Sequence, residues 1–180
     1  MAYSIEKPTF ALRNDFSMNK KHTVYLLSGS NIGDKASFLW FAVYQISKRI
    51  GTIIDVSSIY ETEPWGVDNQ APYYNQAIHL ETALPPQKLL SELKNIEKNA
   101  GRLPNTHMQP RVLDIDILLI DDLIIQSKNL KVPHSQLINR NFAIIPLAEL
   151  APNIIHPTLH LTIQELTQKT GDSLDVKKAY

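Results

Sequence analysis

Segments typical of strands and helices alternate along this chain, and their order limits the folds that it can adopt. Residues 22–30 (HTVYLLSGS) predict a short strand that ends at Gly29. Residues 33–51 then predict a helix, with Asp34 as its N-cap and Gly51 just beyond its end. A strand, a tight turn and a helix therefore begin the regular part of the chain.

The following segments add two strands, a second helix and a further strand. Residues 52–63 and 73–83 are rich in β-branched and aromatic residues, so we expect them to pair antiparallel across the loop between them. Residues 85–101 predict a helix with one apolar stripe, formed by Leu89, Leu93, Ile96 and Ala100. A strand at 111–120 completes the order β-α-β-β-α-β. This order predicts an α+β fold of the ferredoxin-like kind, an antiparallel sheet packed with helices, followed by a C-terminal extension.

The last of these strands carries two aspartates on one face. Its apolar residues at alternate positions are Leu113, Ile115, Ile117 and Leu119. Asp114 and Asp116 therefore share the opposite face, roughly 6.6 Å apart along the strand. That spacing suits two hard cations, such as a pair of Mg²⁺ ions. The alternative is that one face of an edge strand is simply hydrated and that the two charges have no function.

Three arginines could complete a site for a polyphosphate. Arg102 follows the second helix, Arg111 precedes the two aspartates, and Arg140 lies further along the chain. Guanidinium groups bind phosphate oxygens while carboxylates bind the metal, so the set suits a nucleotide with Mg²⁺. An arginine alone is more often a hydrated surface charge, and a single histidine after a proline, such as His134, is usually a turn residue.

The composition excludes several classes of function. Eighteen basic residues balance eighteen acidic ones, so the chain has no overall field to attract nucleic acid or an anionic membrane. No segment approaches the roughly 18 consecutive apolar residues of a membrane span, and residues 1–21 lack the apolar run of a secretory signal. The absence of cysteine agrees with a reducing compartment, so we expect a cytoplasmic protein. We expect residues 1–21 to be a disordered arm, or an overlong start upstream of Met18, and residues 22–180 to form one domain.

Six segments in order resemble those of one enzyme family. They are SGSNIGDK, SSIYETEPWG, YYNQAIHLET, IEKNAGR, PRVLDIDILLID and VPHSQLINRNFAIIPLAELAP. In order and spacing, from about residue 23 to residue 156, the set is similar to 6-hydroxymethyl-7,8-dihydropterin pyrophosphokinase of the folate pathway. Any one segment is common in proteins, whereas the six together are specific.

The resemblance implies the ferredoxin-like fold and a pyrophosphokinase activity. The β,γ-pyrophosphoryl unit of ATP, the co-substrate, would pass to the hydroxymethyl oxygen of a reduced pterin, and AMP would be released. Asp114 and Asp116 match the ligands of two Mg²⁺ ions, and Arg102 and Arg111 match catalytic arginines at the phosphates. The other positions matched to the ATP site are Glu97, Ile117, His134 and Arg140.

The resemblance also implies a pterin site. Tyr73 and Phe142 match an aromatic pair that stacks on both faces of the bicycle, and Asn75 matches an amide that reads its edge. The other matched positions are Gly29, Thr62, Pro64 and Trp65. Without the resemblance, the two aromatics could be core residues, Asn75 a bulge residue and Gly29 a turn glycine.

Two loops, residues 61–72 and 103–110, are expected to close over the substrates, because the site must exclude water to prevent hydrolysis of ATP. The second loop, LPNTHMQP, lacks the further arginines and the aromatic residue that are usual in the family. Glu63 and Ser135 depart from the family pattern as well. We expect these departures to weaken the packing of the adenine and to reduce the positive charge around the phosphates.

Two functions of other classes stay open. One is a catalytically weak or inactive relative that binds pterin or nucleotide, in line with the altered loop. The other is a ferredoxin-like nucleic-acid binder, which would need solvent-facing aromatics and a basic sheet face. We expect ATP and the reduced pterin as partners, no nucleic acid and no membrane, and a functional coupling to dihydropteroate synthase, the neighbouring enzyme of the pathway.

Overall fold

An antiparallel sheet with helices on both faces forms the core of the protein, in a computed structural model that describes residues 20–66, 70–102 and 109–179. The strands are β1 (His22–Ser30), β2 (Thr52–Val56), β3 (Tyr60–Thr62), β4 (Tyr73–Thr82), β5 (Asp114–Ile120), β6 (Ile125–Gln126), β7 (Lys131–Val132) and β8 (Val176–Lys178). The helices are α1 (Lys35–Arg49), α2 (Pro86–Asn99), α3 (Asn141–Leu150) and α4 (Ile163–Thr167), with a 3-10 turn at Leu137–Asn139.

The main sheet has the strand order β5-β1-β4-β3-β8, and β2 also pairs with β4. All of these pairs are antiparallel. β3 pairs with the start of β4 and β2 with its second half, so the predicted antiparallel pairing of residues 52–63 with 73–83 is confirmed. The predicted mixed class, an antiparallel sheet packed with helices, is confirmed as well.

The two predicted helices begin and end near the expected residues. The Asp34 carboxylate caps α1 by accepting hydrogen bonds from the Ser37 N–H (3.1 Å) and hydroxyl (2.7 Å). Helix α2 begins with a proline and is followed by Gly101 at φ +97°, a left-handed conformation that glycine adopts without steric cost.

Helices cover both faces of the sheet. Helices α1 and α2 pack on one face, where Leu39, Ile46, Leu89 and Leu93 are fully buried. Helices α3 and α4 pack on the other face, over a second apolar cluster that includes Tyr25 of β1. The open sheet face that a ferredoxin-like nucleic-acid binder requires is therefore covered over the part of the chain that the structure describes.

A β-bulge in β5 corrects one prediction from the sequence. The register between β1 and β5 shifts so that Leu118 is an extra residue. Beyond it, Ile120 joins Ile117 in the core cluster under α1 and α2, and Leu119 packs in the cluster under α3 and α4. The prediction that Leu119 shares a face with Ile117 is wrong, because one inserted residue reverses the side to which later side chains point.

The chain beyond β5 covers the second face and extends the sheet. Strands β6 and β7 form a separate hairpin. Strand β8 pairs antiparallel with β3, with Lys178 opposite Tyr60 and Val176 opposite Thr62. None of the helices in the described segments has the length and apolar character that crossing a membrane requires.

Candidate active site

A pocket of about 570 Å³ opens at the end of the sheet where β1 and β3 finish and β4 and β5 begin. Every site residue predicted from the sequence lines it except Pro64, which lies between two residues that do. The predicted residues in the lining are Gly29, Thr62, Trp65, Tyr73, Asn75, Glu97, Arg102, Arg111, Asp114, Asp116, Ile117, His134, Arg140 and Phe142. The antiparallel pairing brings them together, since it places Gly29 opposite both Asn75 and Asp114.

Asp114 and Asp116 enter the pocket from the start of β5. Burial raises the pKa of Asp116 above its ordinary value, and the negative charge of Asp114 raises it further. Asp116 is partly exposed and lies in the pocket, so its side chain is not on an open strand face. In residues 20–66, 70–102 and 109–179, the Asp116 carboxylate has no ion pair, which leaves its charge without a direct partner.

Two of the predicted arginines contact Asp114. Arg102 donates to its Oδ1 at 2.5 Å, and Arg111 donates to its Oδ2. The Nε groups of Arg111 and Arg140 are buried and have no hydrogen-bond partner in the described segments. Because buried donors are costly to leave unpaired, these groups suit an anionic ligand in the pocket.

Glu97, near the end of α2, links this helix to β5. The residue is 6% exposed, and its carboxylate accepts a hydrogen bond from the Ile115 N–H at 2.7 Å and pairs with Arg102 at 2.6 Å. Burial and the nearby Asp114 charge raise the pKa of Glu97. In this arrangement Glu97 orients Arg102 and the start of β5 from one side of the pocket.

Arg140 lies against two aromatic rings. Its guanidinium carbon is 4.8 Å from the Trp65 ring centre and 5.6 Å from that of Phe142. Burial lowers the pKa of His134 to about 4, and the Arg140 charge acts in the same direction. The His134 Nδ1 accepts a hydrogen bond from the Gln136 N–H at 3.3 Å. The imidazole is therefore neutral near pH 7.

The positions matched to a pterin lie together at the end of the pocket formed by β1, β3 and β4. Asn75 is 3% exposed, and its amide donates to Thr62 Oγ1 at 2.7 Å. Gly29 faces Asn75 so closely that an added Cβ would lie 2.9 Å from its Oδ1. The half-buried Tyr73 donates its hydroxyl to Gln70 Oε1 at 3.4 Å. Thr62 thus orients the amide of Asn75, and the absence of a side chain at Gly29 leaves room for it.

Several pocket residues were not predicted from the sequence. Those with polar side chains in the second helix and around the β6–β7 hairpin are Lys94, Lys128, Asn129 and Lys131. Lys94 lies three residues before Glu97, so the helical period could have identified it. The hairpin residues gave no such signal, because an exposed charge in a turn is common.

The acidic pair suits a metal ion that a ligand helps to bind. Within the described residues, no group of three or more His, Cys, Asp or Glu side chains could hold a metal ion by itself. Mg²⁺ usually takes one or two carboxylates and completes its shell with water and phosphate oxygens. Asp114 and Asp116, beside the arginines of the pocket, fit such an ion only together with a phosphorylated ligand.

Three predicted segments lie partly or wholly outside the described residues. They are residues 67–69 of the first loop, residues 103–108 of the second loop, and residues 1–19 of the expected N-terminal arm. The closure of the two loops and the disorder of the arm stay predictions.

Comparison with known proteins points to one family. A model of the 7,8-dihydro-6-hydroxymethylpterin-pyrophosphokinase (HPPK) family matches residues 25–152. The 2-amino-4-hydroxy-6-hydroxymethyldihydropteridine pyrophosphokinase of Aquifex aeolicus is 41% identical over 143 residues, which cover 79% of this chain and 89% of that protein. The protein of the same name from Haemophilus influenzae is 37% identical over 156 residues, covering 86% and 97%.

Two longer proteins are also similar. Folic acid synthesis protein FOL1 of Dictyostelium discoideum is 36% identical over 166 residues, which cover 90% of this chain and 25% of that protein. The crystal structure of wild-type Plasmodium falciparum HPPK-DHPS with pterin and p-hydroxybenzoate has a TM-score of 0.68 at 19% identity, covering 84% of this chain and 42% of that one. This second likeness concerns the fold, and this chain spans less than half of either longer protein.

Proposed function

Because this chain belongs to the 7,8-dihydro-6-hydroxymethylpterin-pyrophosphokinase family, we propose that the pocket at the end of its sheet is the active site. The chain transfers the pyrophosphoryl group of ATP to 6-hydroxymethyl-7,8-dihydropterin in folate biosynthesis. One observation carries the assignment of the site: a pair of carboxylates and three arginines line the same pocket as two aromatic rings and a buried amide.

The pterin binds at the end of the pocket near Asn75. Its bicycle stacks between Tyr73 and Phe142, and the Asn75 amide, oriented by Thr62, pairs with its edge. Gly29 allows this close approach because it has no side chain. Trp65 and Pro64 belong to the loop that closes this end.

ATP binds in the rest of the pocket, with Arg140 between the two substrates. Arg102 and Arg111 bind its phosphates, and Arg140 contributes a third guanidinium. Glu97, Ile117 and His134 line the nucleotide side. The unpaired Nε groups of Arg111 and Arg140, seen within the described segments, support this assignment, since phosphate oxygens supply the acceptors that these donors lack.

Asp114 and Asp116 would hold two Mg²⁺ ions when ATP is bound. The two carboxylates form the protein part of the donor set, and the phosphates and water complete it. Mg²⁺ bound there supplies positive charge at the phosphate oxygens of ATP. Asp114 pairs with Arg102 and Arg111, so a metal held at Asp114 would leave both arginines available to the nucleotide.

The chain contributes positioning and charge rather than covalent chemistry. The hydroxymethyl oxygen attacks the β-phosphorus, the bond from this phosphorus to the oxygen of the α-phosphate breaks, and AMP leaves. The hydroxyl proton passes to solvent, and we assign no general base. Stacking by Tyr73 and Phe142 aligns the pterin oxygen, and Arg102 and Arg111 stabilise the charge that develops on the phosphates.

An assay of AMP release tests this function. Purified protein is incubated with Mg²⁺, ATP and 6-hydroxymethyl-7,8-dihydropterin, beside the Asp114→Ala variant. We expect AMP that depends on the pterin and is lost in the variant. AMP release at the wild-type rate in Asp114→Ala would contradict the assignment of the acidic pair. Absence of AMP with the wild-type protein, while calorimetry still detects bound pterin, would favour the weak or inactive relative.

Further properties follow from the same proposal. Strands β1, β2 with β3, β4 and β5, with α1 and α2, form a ferredoxin-like core, to which residues 121–179 add a C-terminal extension. The strand order around β1 and β4 supports this core.

A functional coupling to dihydropteroate synthase is supported by the HPPK-DHPS and FOL1 proteins, in which a related segment is part of a longer chain. The cytoplasmic location and the single domain at residues 22–180 stay predictions.

A further inference from the structure

The C-terminal residues 170–179, which we call the C-terminal strap, contact both walls of the pterin end of the pocket without lining it. One wall is the start of α3, which carries Arg140 and Phe142. The other wall is β3, which carries Thr62. The strap connects these two walls through Asn141 and through β8.

Asn141 is bonded to the strap through all of its side-chain polar groups. Its Nδ2 donates to the carbonyl oxygens of Asp172 (2.9 Å) and Leu174 (3.2 Å). Its Oδ1 accepts from the Thr170 hydroxyl at 2.5 Å. Asn141 itself does not line the pocket, but both of its chain neighbours, Arg140 and Phe142, do.

Asp172 caps the start of α3 from outside the helix. The Arg140 side chain makes no capping hydrogen bond at the start of this helix. Instead, the Asp172 carboxylate accepts from the Asn141 N–H at 2.9 Å and from the Leu174 N–H at 3.0 Å. A carboxylate at a helix N-terminus satisfies a free N–H and interacts favourably with the helix dipole. The strap thus satisfies the first backbone N–H of α3.

The far end of the strap fixes β3 and the other end of α3. Strand β8 pairs with β3 over three residues, and the Ala179 N–H donates to the Ile59 carbonyl at 2.8 Å. Glu149, near the end of α3, accepts from the Tyr60 hydroxyl at 2.6 Å and pairs with Lys178 at 3.6 Å. The strap therefore contacts both β3 and the end of α3, and the Tyr60–Glu149 hydrogen bond joins these two elements directly.

We propose that Asn141, Asp172 and Thr170 are positioning residues for the pterin end, acting by holding Arg140 and Phe142 in place opposite Thr62. The inference rests on the proposed roles of Phe142 and Arg140 in substrate binding. A residue that holds a binding group in place lowers the cost of ordering that group when the substrate arrives. Loss of the strap contacts should therefore raise KM for the pterin.

The sharpest test compares two substitutions of Thr170. Thr170→Val keeps the size of the side chain but removes the donor to Asn141, whereas Thr170→Ser keeps the donor. We expect Thr170→Val to raise KM for the pterin about fivefold with a smaller change in kcat, and Thr170→Ser to retain the wild-type KM. Asn141→Ala removes three hydrogen bonds, and we expect it to raise KM about tenfold or more.

A matched control separates positioning from a general loss of stability. Thr162 caps α4 by accepting from the Glu165 N–H at 3.1 Å and is not part of the pocket lining. Thr162→Ala should lower the melting temperature, as loss of an N-cap does, while leaving KM for the pterin unchanged. If Thr162→Ala and Asn141→Ala raise KM alike, or if Thr170→Val matches Thr170→Ser, the strap has no positioning role.

Phe142→Ala, measured in parallel, separates this inference from the proposed function. Phe142→Ala could raise KM for the pterin strongly while Asn141→Ala keeps the wild-type KM. This result would refute the positioning role of the strap and leave the site assignment intact. A wild-type KM in Phe142→Ala would refute the assigned pterin site and the strap inference with it. A rise in KM in Phe142→Ala, Asn141→Ala and Thr170→Val, but not in Thr170→Ser, supports both.

Discussion

Gly29 is a residue at which the pocket has no space for a side chain. A Cβ at this position would lie 2.9 Å from Asn75 Oδ1, closer than such contacts occur, and Asn75 is held on its other side by Thr62. In Gly29→Ala we expect the Asn75 amide to shift and KM for the pterin to rise about tenfold, the equivalent of roughly one lost hydrogen bond.

Gly171→Ala is the control for this substitution. Gly171 lies in the C-terminal strap, but nothing lies within 4 Å of a Cβ built there, so the added methyl group meets open space and leaves the hydrogen bonds of Thr170 and Asp172 intact. Kinetic assays at varied pterin concentration should show a wild-type KM for this variant. Equal KM values for Gly29→Ala and the wild type would contradict the close approach of Gly29 to the pterin-reading amide.

Some of these site residues can be identified from the sequence and some of their contacts cannot, for physical reasons. Asp114 and Asp116 are visible because two charges interrupt an apolar strand, and the strand period places them on one face. The contact of Arg140 with Trp65 cannot be predicted from the sequence, because it joins residues far apart in the chain through the packing of α3 against the sheet. The resemblance to the family supplied Trp65 and Arg140 as site positions, and the structure added that they contact each other.

At the scale of single elements, α2 combines a core face with a pocket face. Leu93 is fully buried under the sheet, while Glu97 one turn later reaches the pocket. We expect Leu93→Ala to lower the free energy of unfolding by about 2–5 kcal/mol, since it leaves a cavity in the core, while KM for both substrates stays within error. Urea denaturation and steady-state kinetics measure the two quantities.

Trp40→Ala on α1 is the matched control for the core substitution. Trp40 is 56% exposed, so removal of its ring leaves no closed cavity and should lower the free energy of unfolding by less than Leu93→Ala does. A Leu93→Ala variant no less stable than Trp40→Ala would show that the apolar stripe of α2 does not pack as described.

Element boundaries and pairing were predictable where local signals are strong, and the bulge in β5 was not. The cap at Asp34 and the proline at the start of α2 are local chemistry, so both helices could be placed from the sequence. The extra residue at Leu118 leaves no local signal, because Ile117, Leu118 and Leu119 are all apolar, as expected when helices cover both faces of the sheet. Strand β8 could not be predicted from the sequence either, because it has only three residues and forms by pairing with β3, which is distant in the chain.

For the whole molecule, the neutral His134 makes stability depend on pH. Its pKa is about 4 in the folded protein against an ordinary value of 6.5, chiefly because it is buried. Between these values the unfolded chain binds a proton that the folded protein does not. Stability from this residue is therefore complete above pH 6.5 and is lost as the pH falls towards 4.

The variant His134→Gln isolates this effect. We expect the free energy of unfolding of the wild type to fall more steeply than that of the variant between pH 6.5 and 4, by at most about 1.4 kcal/mol per pH unit. Denaturant titrations at several pH values give the difference. A constant difference across this interval would show that His134 is protonated alike in the folded and unfolded chain.

The central claim for the whole molecule is that Asp114 and Asp116 turn a pocket for a polyphosphate into a site for its magnesium complex. The direct measurement is calorimetry of ATP binding, with and without Mg²⁺, in the wild type and in Asp116→Asn. By charge alone, removal of a carboxylate strengthens binding of the metal-free nucleotide anion. The account predicts that Asp116→Asn binds metal-free ATP at least as tightly as the wild type but binds ATP with Mg²⁺ about tenfold or more weakly. If the variant bound the magnesium complex as tightly as the wild type does, the acidic pair would not be the metal site.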